Sequence, residues 1–143
     1  MRVTLDASVW LSALSSTEQE HKRCATLIQS LVTQRIPLHQ PGLFVVDVCA
    51  TIARRTRDKA LALQAGRVAL ASPYLVMYEL DHRLAAAASE IAATYALRGA
   101  DAVYVATAVK ANSVLLTLDR EVRERGDAAV TVRMPSEWKA MIA

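Results

Sequence analysis

The sequence predicts one α/β domain over residues 1–143, with a mostly parallel central sheet flanked by helices, and three observations carry that prediction. Short apolar stretches alternate with longer segments of helical periodicity along the chain. Those stretches are short and mostly apolar, the pattern of a parallel or mostly parallel sheet covered on both faces. No linker, internal repeat or low-complexity tract divides the 143 residues, a length usual for one domain with its own core.

The elements follow in order. Arg2–Leu5 reads as a buried strand ending at Asp6, and Ser8–Leu14 as a short helix before the polar break SSTEQE. Glu20–Thr33 is an amphipathic helix, with Cys24, Leu27, Ile28, Leu31 and Val32 on one face at helical spacing. Ile36–Leu38 fits a short second strand. Pro41-Gly42 then punctuates the chain ahead of a helix over Leu43–Arg57, and Lys59–Ala71 is the next helix, ended by Ser72-Pro73. Leu75–Met77 is a strand. The Ala-rich run Asp81–Leu97 is strongly helical, with Gly99 expected as its stop. Asp101 is expected to open a helix running to Lys110, followed by strands at Val114–Thr117 and Val130–Arg133. Pro135 starts a closing helix, since proline at the first position forfeits no hydrogen bond and Ser136 and Glu137 suit the first turn.

Composition limits the function. Hydrophobic residues make up 53% and charged residues 22%, the balance of a soluble globular protein, and no run approaches the roughly 18 apolar residues of a membrane-crossing helix. No long apolar segment follows the single Arg of MRVTLDASVW, so no secretory signal is expected and the cytoplasm is the expected location. Cys24 and Cys49 are too few and too far apart for a disulfide framework or a CxxC metal site, and read as small buried hydrophobes. The net charge of +3 rests on 17 basic residues, thirteen of them Arg. Arg54, Arg55, Arg57 and Lys59 form one run and Arg120, Arg123 and Arg125 another, each close behind an acid. Such runs are commonly solvated helix faces; they also suit phosphate contact.

The functional signal lies in four aspartates beside or inside apolar stretches: Asp6 in VTLD, Asp47 in LFVVDVCA, Asp101 in GADAVYVATA and Asp119 in VLLTLD. An unpaired carboxylate taken out of water is costly. Asp6 and Asp119 each close a strand, where ligands of open α/β sheets collect, and each can equally cap the helix that follows. Ser8 can cap as well or line a site, and Thr117 shares a strand side with Asp119. For Asp101, helix capping is the simpler reading, although a capping carboxylate keeps a second oxygen to offer. Asp47 lies more than a turn inside its helix among Phe44, Val45, Val46, Val48 and Cys49. A salt bridge to Arg54 or a hydrogen bond from Thr51 competes there with a functional role. Acids gathered at one end of a sheet bind protons at neutral pH unless a cation compensates. Oxygen-only ligation selects Mg²⁺ or Mn²⁺ over zinc; His21, His39 and His82 sit apart from the acids in polar segments and read as surface or incidental residues.

These residues, in this order, resemble the PIN-domain nucleases and, within them, the VapC-type toxins of bacterial toxin–antitoxin pairs. The resemblance spans essentially the whole chain. It rests on DASV at Asp6–Val9, PGLFVVDVCATIARR around Asp47, GADAVYVATA around Asp101 and LLTLDRE around Asp119. The spacing of Asp101 and Asp119, across an Ala-rich helix and a strand, is its most specific part. The resemblance implies a PIN fold, a metal-dependent endoribonuclease, a homodimer, and a small antitoxin whose C-terminal segment occupies the active-site groove. It also implies that Asp6, Asp101 and Asp119 are metal-site acids, that Ser8 and Thr117 are their polar neighbours, and that Glu121 is a candidate outer acid. The family's second acid is usually Glu, whereas here it is Asp47, whose reach is about 1–1.5 Å shorter, a misplacement large enough to slow catalysis.

The expected chemistry is hydrolysis of an RNA phosphodiester with one or two Mg²⁺ or Mn²⁺ ions, Asp47 standing near them. Arg54, Arg55 and Arg98 are expected to hold flanking phosphates without reading sequence. The alternative is a catalytically weak or inactive PIN-like module that binds RNA or protein, an alternative motivated by Asp47. A haloacid-dehalogenase-like phosphotransferase needs a second Asp where Ser8 stands, and a response regulator needs an acidic pair where only Asp6 is found.

Overall fold

The computed structural model describes residues 1–138. Five strands, β1 (Val3–Leu5), β2 (Leu38–Pro41), β3 (Leu75–Tyr78), β4 (Val114–Leu116) and β5 (Val132–Arg133), alternate with helices. The helices are α1 (Ala7–Leu14), α2 (His21–Thr33), α3 (Leu43–Thr56), α4 (Lys59–Leu70), α5 (His82–Tyr95), α6 (Gly99–Ala111) and α7 (Arg120–Gly126). The strands form one sheet in the order β3-β2-β1-β4-β5, and every neighbouring pair is parallel, so the expected mostly parallel sheet is wholly so. Among the described residues, no helix is long and apolar enough to cross a membrane.

The apolar residues of the inner strands and of β5 are buried, Val3, Leu5, Leu38, Leu115, Leu116 and Val132 having no exposed surface, whereas the apolar edge strand β3 exposes Val76 and Met77. α6 packs against β1, β2 and β4 and is buried from Ala102 to Ala108, which explains why its sequence shows no polar face. α1 packs against β1, α2 and α3, and its Trp10 ring meets Phe44 of α3 at 5.4 Å between centroids. The chain fills the sheet outward from β1, first through β2 and β3 and then through β4 and β5. The crevice beyond the carboxyl ends of β1 and β4 is therefore the switch point at which open parallel sheets bind ligands.

A side chain completes the sheet beside that crevice. β1 and β2 are in register at Val3 and Leu38, and farther along the buried Gln40 amide takes over from the ladder. Leu5 N–H donates to Gln40 Oε1 at 2.6 Å, and Gln40 Nε2 donates to Leu5 O at 2.8 Å. The residue immediately before Asp6 is thereby fixed by two hydrogen bonds that no backbone pairing supplies.

Several boundaries differ from expectation. The second strand starts at Leu38 and runs through His39 and Gln40, polar residues that suggest a loop but are buried, so His39 is not a surface residue; its Nδ1 bonds the Tyr78 hydroxyl at 2.8 Å. Gly99 does not stop α5: that helix ends where Ala96 turns left-handed (φ 53°), and Gly99 begins α6. Asp101 consequently lies inside the first turn of α6, while Arg98 holds the capping position. The closing helix starts at Pro135 as a 3-10 turn, Pro135–Glu137, with Trp138 helical after it, and the remainder of that expectation, beyond residue 138, lies outside the described residues.

Gln40→Leu leaves Leu5 N–H and C=O buried without partners, at about 1–3 kcal/mol for each group. The expected loss is about 2–6 kcal/mol in urea unfolding at pH 7. An unchanged midpoint at constant slope would show that the amide does not complete the sheet.

Candidate active site

A cleft of 520 Å³ opens over the switch point, and Asp6, Asp47, Asp101 and Asp119 all line it, with Ser8, Glu18, Thr51, Arg55, Arg98 and Tyr104 among their neighbours. Residues separated by up to 113 positions in the chain thus meet because β1 and β4 are adjacent and parallel and an aspartate closely follows each, Asp6 directly after β1 and Asp119 three residues after β4.

Asp6 ends β1 and precedes α1, but its carboxylate makes no capping hydrogen bond. Instead Oδ2 accepts from Ser8 Oγ at 2.6 Å and from Thr117 Oγ1 at 2.9 Å. Those hydroxyls accept in turn from Leu118 N (3.1 Å) and Asp119 N (3.0 Å), which fixes their protons toward Asp6 and ties the end of β1 to the end of β4. Burial raises the Asp6 pKa, and the hydrogen bonds from Ser8 and Thr117 offset part of that rise.

Asp119 does cap: Oδ1 accepts from Glu121 N at 2.9 Å and Val122 N at 3.4 Å, the first turn of α7. Asp101 stands in the first turn of α6, where the helix dipole favours negative charge. Arg98 spans both acids, with Nε on Asp101 Oδ2 at 3.0 Å and one terminal nitrogen on Asp119 Oδ2 at 2.7 Å. The Asp101 pKa is nevertheless raised, first by burial and then by the charge of Asp6, with Arg98 pulling the other way.

Asp47 enters from the second turn of α3. Its Oδ2 accepts from Tyr104 Oη at 2.9 Å, so the competing salt bridge to Arg54 is not what holds it, and Thr51 lines the cleft without bonding to it. Burial and the Asp47 charge push the Tyr104 phenol far above its ordinary range, so it remains the donor. The Asp47 pKa is raised by burial, with a further push from Asp101.

The arginines divide. Arg55 lines the cleft and donates to Glu18 at 2.5 Å across its rim, whereas Arg54 is exposed and outside the lining residues. Glu121 is also outside them, paired with Arg125 at 2.8 Å. Sequence reasoning misses Glu18 and Tyr104. Glu18 sits in a polar segment where an acid carries no burial signal; Tyr104, a phenol in an otherwise buried helical run, needs a polar partner and is the readable clue.

The donor set suits a hard cation: it is all oxygen, three of its acids have raised pKa values, and among the described residues the positive charge paired with Asp101 and Asp119 is a single guanidinium. Among the described residues, no group of three or more His, Cys, Asp or Glu side chains is arranged so that it could hold a metal ion as it stands.

A family model described as the PIN domain matches residues 3–128. No curated protein matches the chain. Among solved structures, the fold is similar to VapBC2 from Rickettsia felis bound to a promoter DNA fragment (TM-score 0.73, 9% identity, 94% of this chain and 98% of that one). It is also similar to FitAcB from Neisseria gonorrhoeae (TM-score 0.71, 20% identity, 94% and 98%). A third is VapC20 from Mycobacterium tuberculosis, described as a sarcin-ricin loop cleaving toxin (TM-score 0.69, 16% identity, 85% and 93%).

The raised Asp6 pKa has a consequence for stability. Its protonated form favours the fold, a contribution complete below the unfolded pKa and lost as pH rises through the folded one. At pH 7 in EDTA, Asp6→Asn is therefore expected to melt at a higher temperature than the parent protein, the difference shrinking toward about pH 4. A lower melting temperature at pH 7 would contradict this electrostatic account.

Proposed function

The chain belongs to the PIN domain family, and from that premise we propose that it is a metal-dependent endoribonuclease, the toxin of a type II toxin–antitoxin pair. The observation that carries the reading is the meeting of Asp6, Asp47, Asp101 and Asp119 in one cleft at the sheet's switch point. The toxin part is supported by similar folds among VapBC and FitAB assemblies and by a neighbour described as cleaving the sarcin-ricin loop. The proposal includes a small cognate antitoxin, action in the cytoplasm, and a homodimer, for which exposed Leu61, Leu63, Val68 and Leu70 on α4 supply apolar surface.

Asp6, Asp101 and Asp119 would hold Mg²⁺ or Mn²⁺. When bound, the ion supplies positive charge that acidifies a water and stabilises the transferring phosphate. Ser8 and Thr117 orient Asp6 by occupying Oδ2, leaving Oδ1 without a side-chain donor among the described residues. Tyr104 does the same for Asp47, whose raised pKa suits its remaining oxygen to take the proton of the attacking water. Arg55, at the rim, can exchange Glu18 for a phosphate, and Arg54 contacts the strand farther out. The second reading, a catalytically weak or inactive module that binds RNA or protein, draws on the shorter reach of Asp47; tight RNA binding with no uptake of millimolar Mn²⁺ would favour it.

RNA cleavage should vanish in EDTA and return with Mn²⁺. Asp101→Asn, with its fold checked by circular dichroism, should lower kcat by about a hundredfold or more. Full cleavage by that variant, or by the parent protein in EDTA, would refute the assignment.

A further inference from the structure

The four cleft aspartates are not equally available. Asp6, Asp47 and Asp101 each have one oxygen engaged by a side chain and a second that no side-chain donor among the described residues engages. At Asp119 the side-chain donor is again Arg98, on Oδ2, while Oδ1 accepts from the backbone of the first turn of α7, so that both oxygens are taken. The α7 amides belong to a helix end that cannot leave without unwinding the turn. Arg98 can leave, because its side chain is 68% exposed while Asp101 and Asp119 are 16% and 30% exposed. Its capping role at α6 uses the backbone alone, with no side-chain cap hydrogen bond, so the guanidinium can swing away without disturbing the helix.

We propose that Arg98 is a built-in counter-ion that holds the cation position between Asp101 and Asp119, so that metal loading is an exchange in which a divalent ion displaces the guanidinium. This rests on the metal-dependent reading of the cleft. The geometry favours Arg in this role, because its planar fork reaches two carboxylates at once through different nitrogens, which an ammonium on the same stem does not reproduce. The guanidinium neutralises two acids that would otherwise repel each other, and it keeps Asp119 from accepting a cation until one of sufficient charge arrives. Arg98 is thus a positioning residue whose effect falls on metal affinity before it falls on any chemical step.

The test measures Mn²⁺ binding to the full chain, by the loss of the free-ion electron paramagnetic resonance signal, for the parent protein, Arg98→Lys and Arg98→Met. The exchange predicts that both variants bind Mn²⁺ about tenfold more tightly than the parent, because both lose the fork. A purely coulombic effect of a nearby positive charge predicts instead that Arg98→Lys matches the parent while Arg98→Met alone tightens, and that result would overturn the exchange while leaving the metal site standing. Affinity unchanged in both variants would do the same. No Mn²⁺ binding by any of the three proteins would remove the metal reading itself, and the exchange with it. As an independent readout, the Arg98 Nε–H resonance should shift as Mg²⁺ saturates the parent protein; a resonance fixed at its ion-paired position at saturation would overturn the proposal.

Discussion

The buried carboxylate of Asp6 is the constraint from which the rest of the cleft follows. It sits at the end of a central parallel strand, nearly without solvent, and so must be offset by fixed dipoles. Ser8 and Thr117 are those dipoles, and both are held by backbone N–H groups of the segment leaving β4. The same contacts that keep Asp6 ionisable therefore lock β1 to β4 and place Asp119 beside it. On the other side of β1, the Gln40 amide pins Leu5. Asp6 is fixed from both neighbouring strands, which is the preorganisation a reactive site needs.

Around that point, local structure and electrostatics agree in direction. α1 starts directly after Asp6, α6 carries Asp101 in its first turn, and α7 starts directly after Asp119. Three helix amino ends consequently face the acids, and their dipoles favour the negative charge that burial opposes. Burial still prevails at Asp6 and Asp101, whose pKa values stay raised. The site is left short of positive charge, a shortage that Arg98 meets for Asp101 and Asp119 and that no ion pair among the described residues meets for Asp6 or Asp47.

Much of this is legible in the sequence because burial leaves a pattern. Short apolar runs locate β1, β3 and β4, and those of β1 and β4 mark the buried centre of the sheet, whereas the apolar run of β3 leaves Val76 and Met77 exposed at its edge; acids embedded in the buried runs stand out because a carboxylate there needs a reason. What escapes is polar structure that is buried for a partner distant in the chain. Gln40 resembles a loop residue until Leu5 lies beside it, which is why the apolar pattern places β2 too early. Glu18 and Arg55 form a pair across 37 residues, and no local pattern announces it. Gly99 reads as a stop because glycine commonly is one, yet here Ala96 takes the left-handed turn and Gly99 keeps an ordinary helical backbone.

Charge is divided unevenly between the cleft and the rest of the molecule. Five acids (Asp6, Glu18, Asp47, Asp101 and Asp119) face two arginines in the cleft, while the protein as a whole carries +3. The remainder of the molecule is therefore more basic than its net charge suggests, and Arg54, Arg57, Lys59 and Arg120 lie exposed on α3, α4 and α7 and at the turn between the first two. A nucleic acid is attracted to the outside and repelled at the centre. On the proposed metal-dependent reading, a divalent charge entering the cleft would remove the repulsion at the point where a phosphate would sit. On that reading, such a charge map would tie substrate access to metal loading through electrostatics alone.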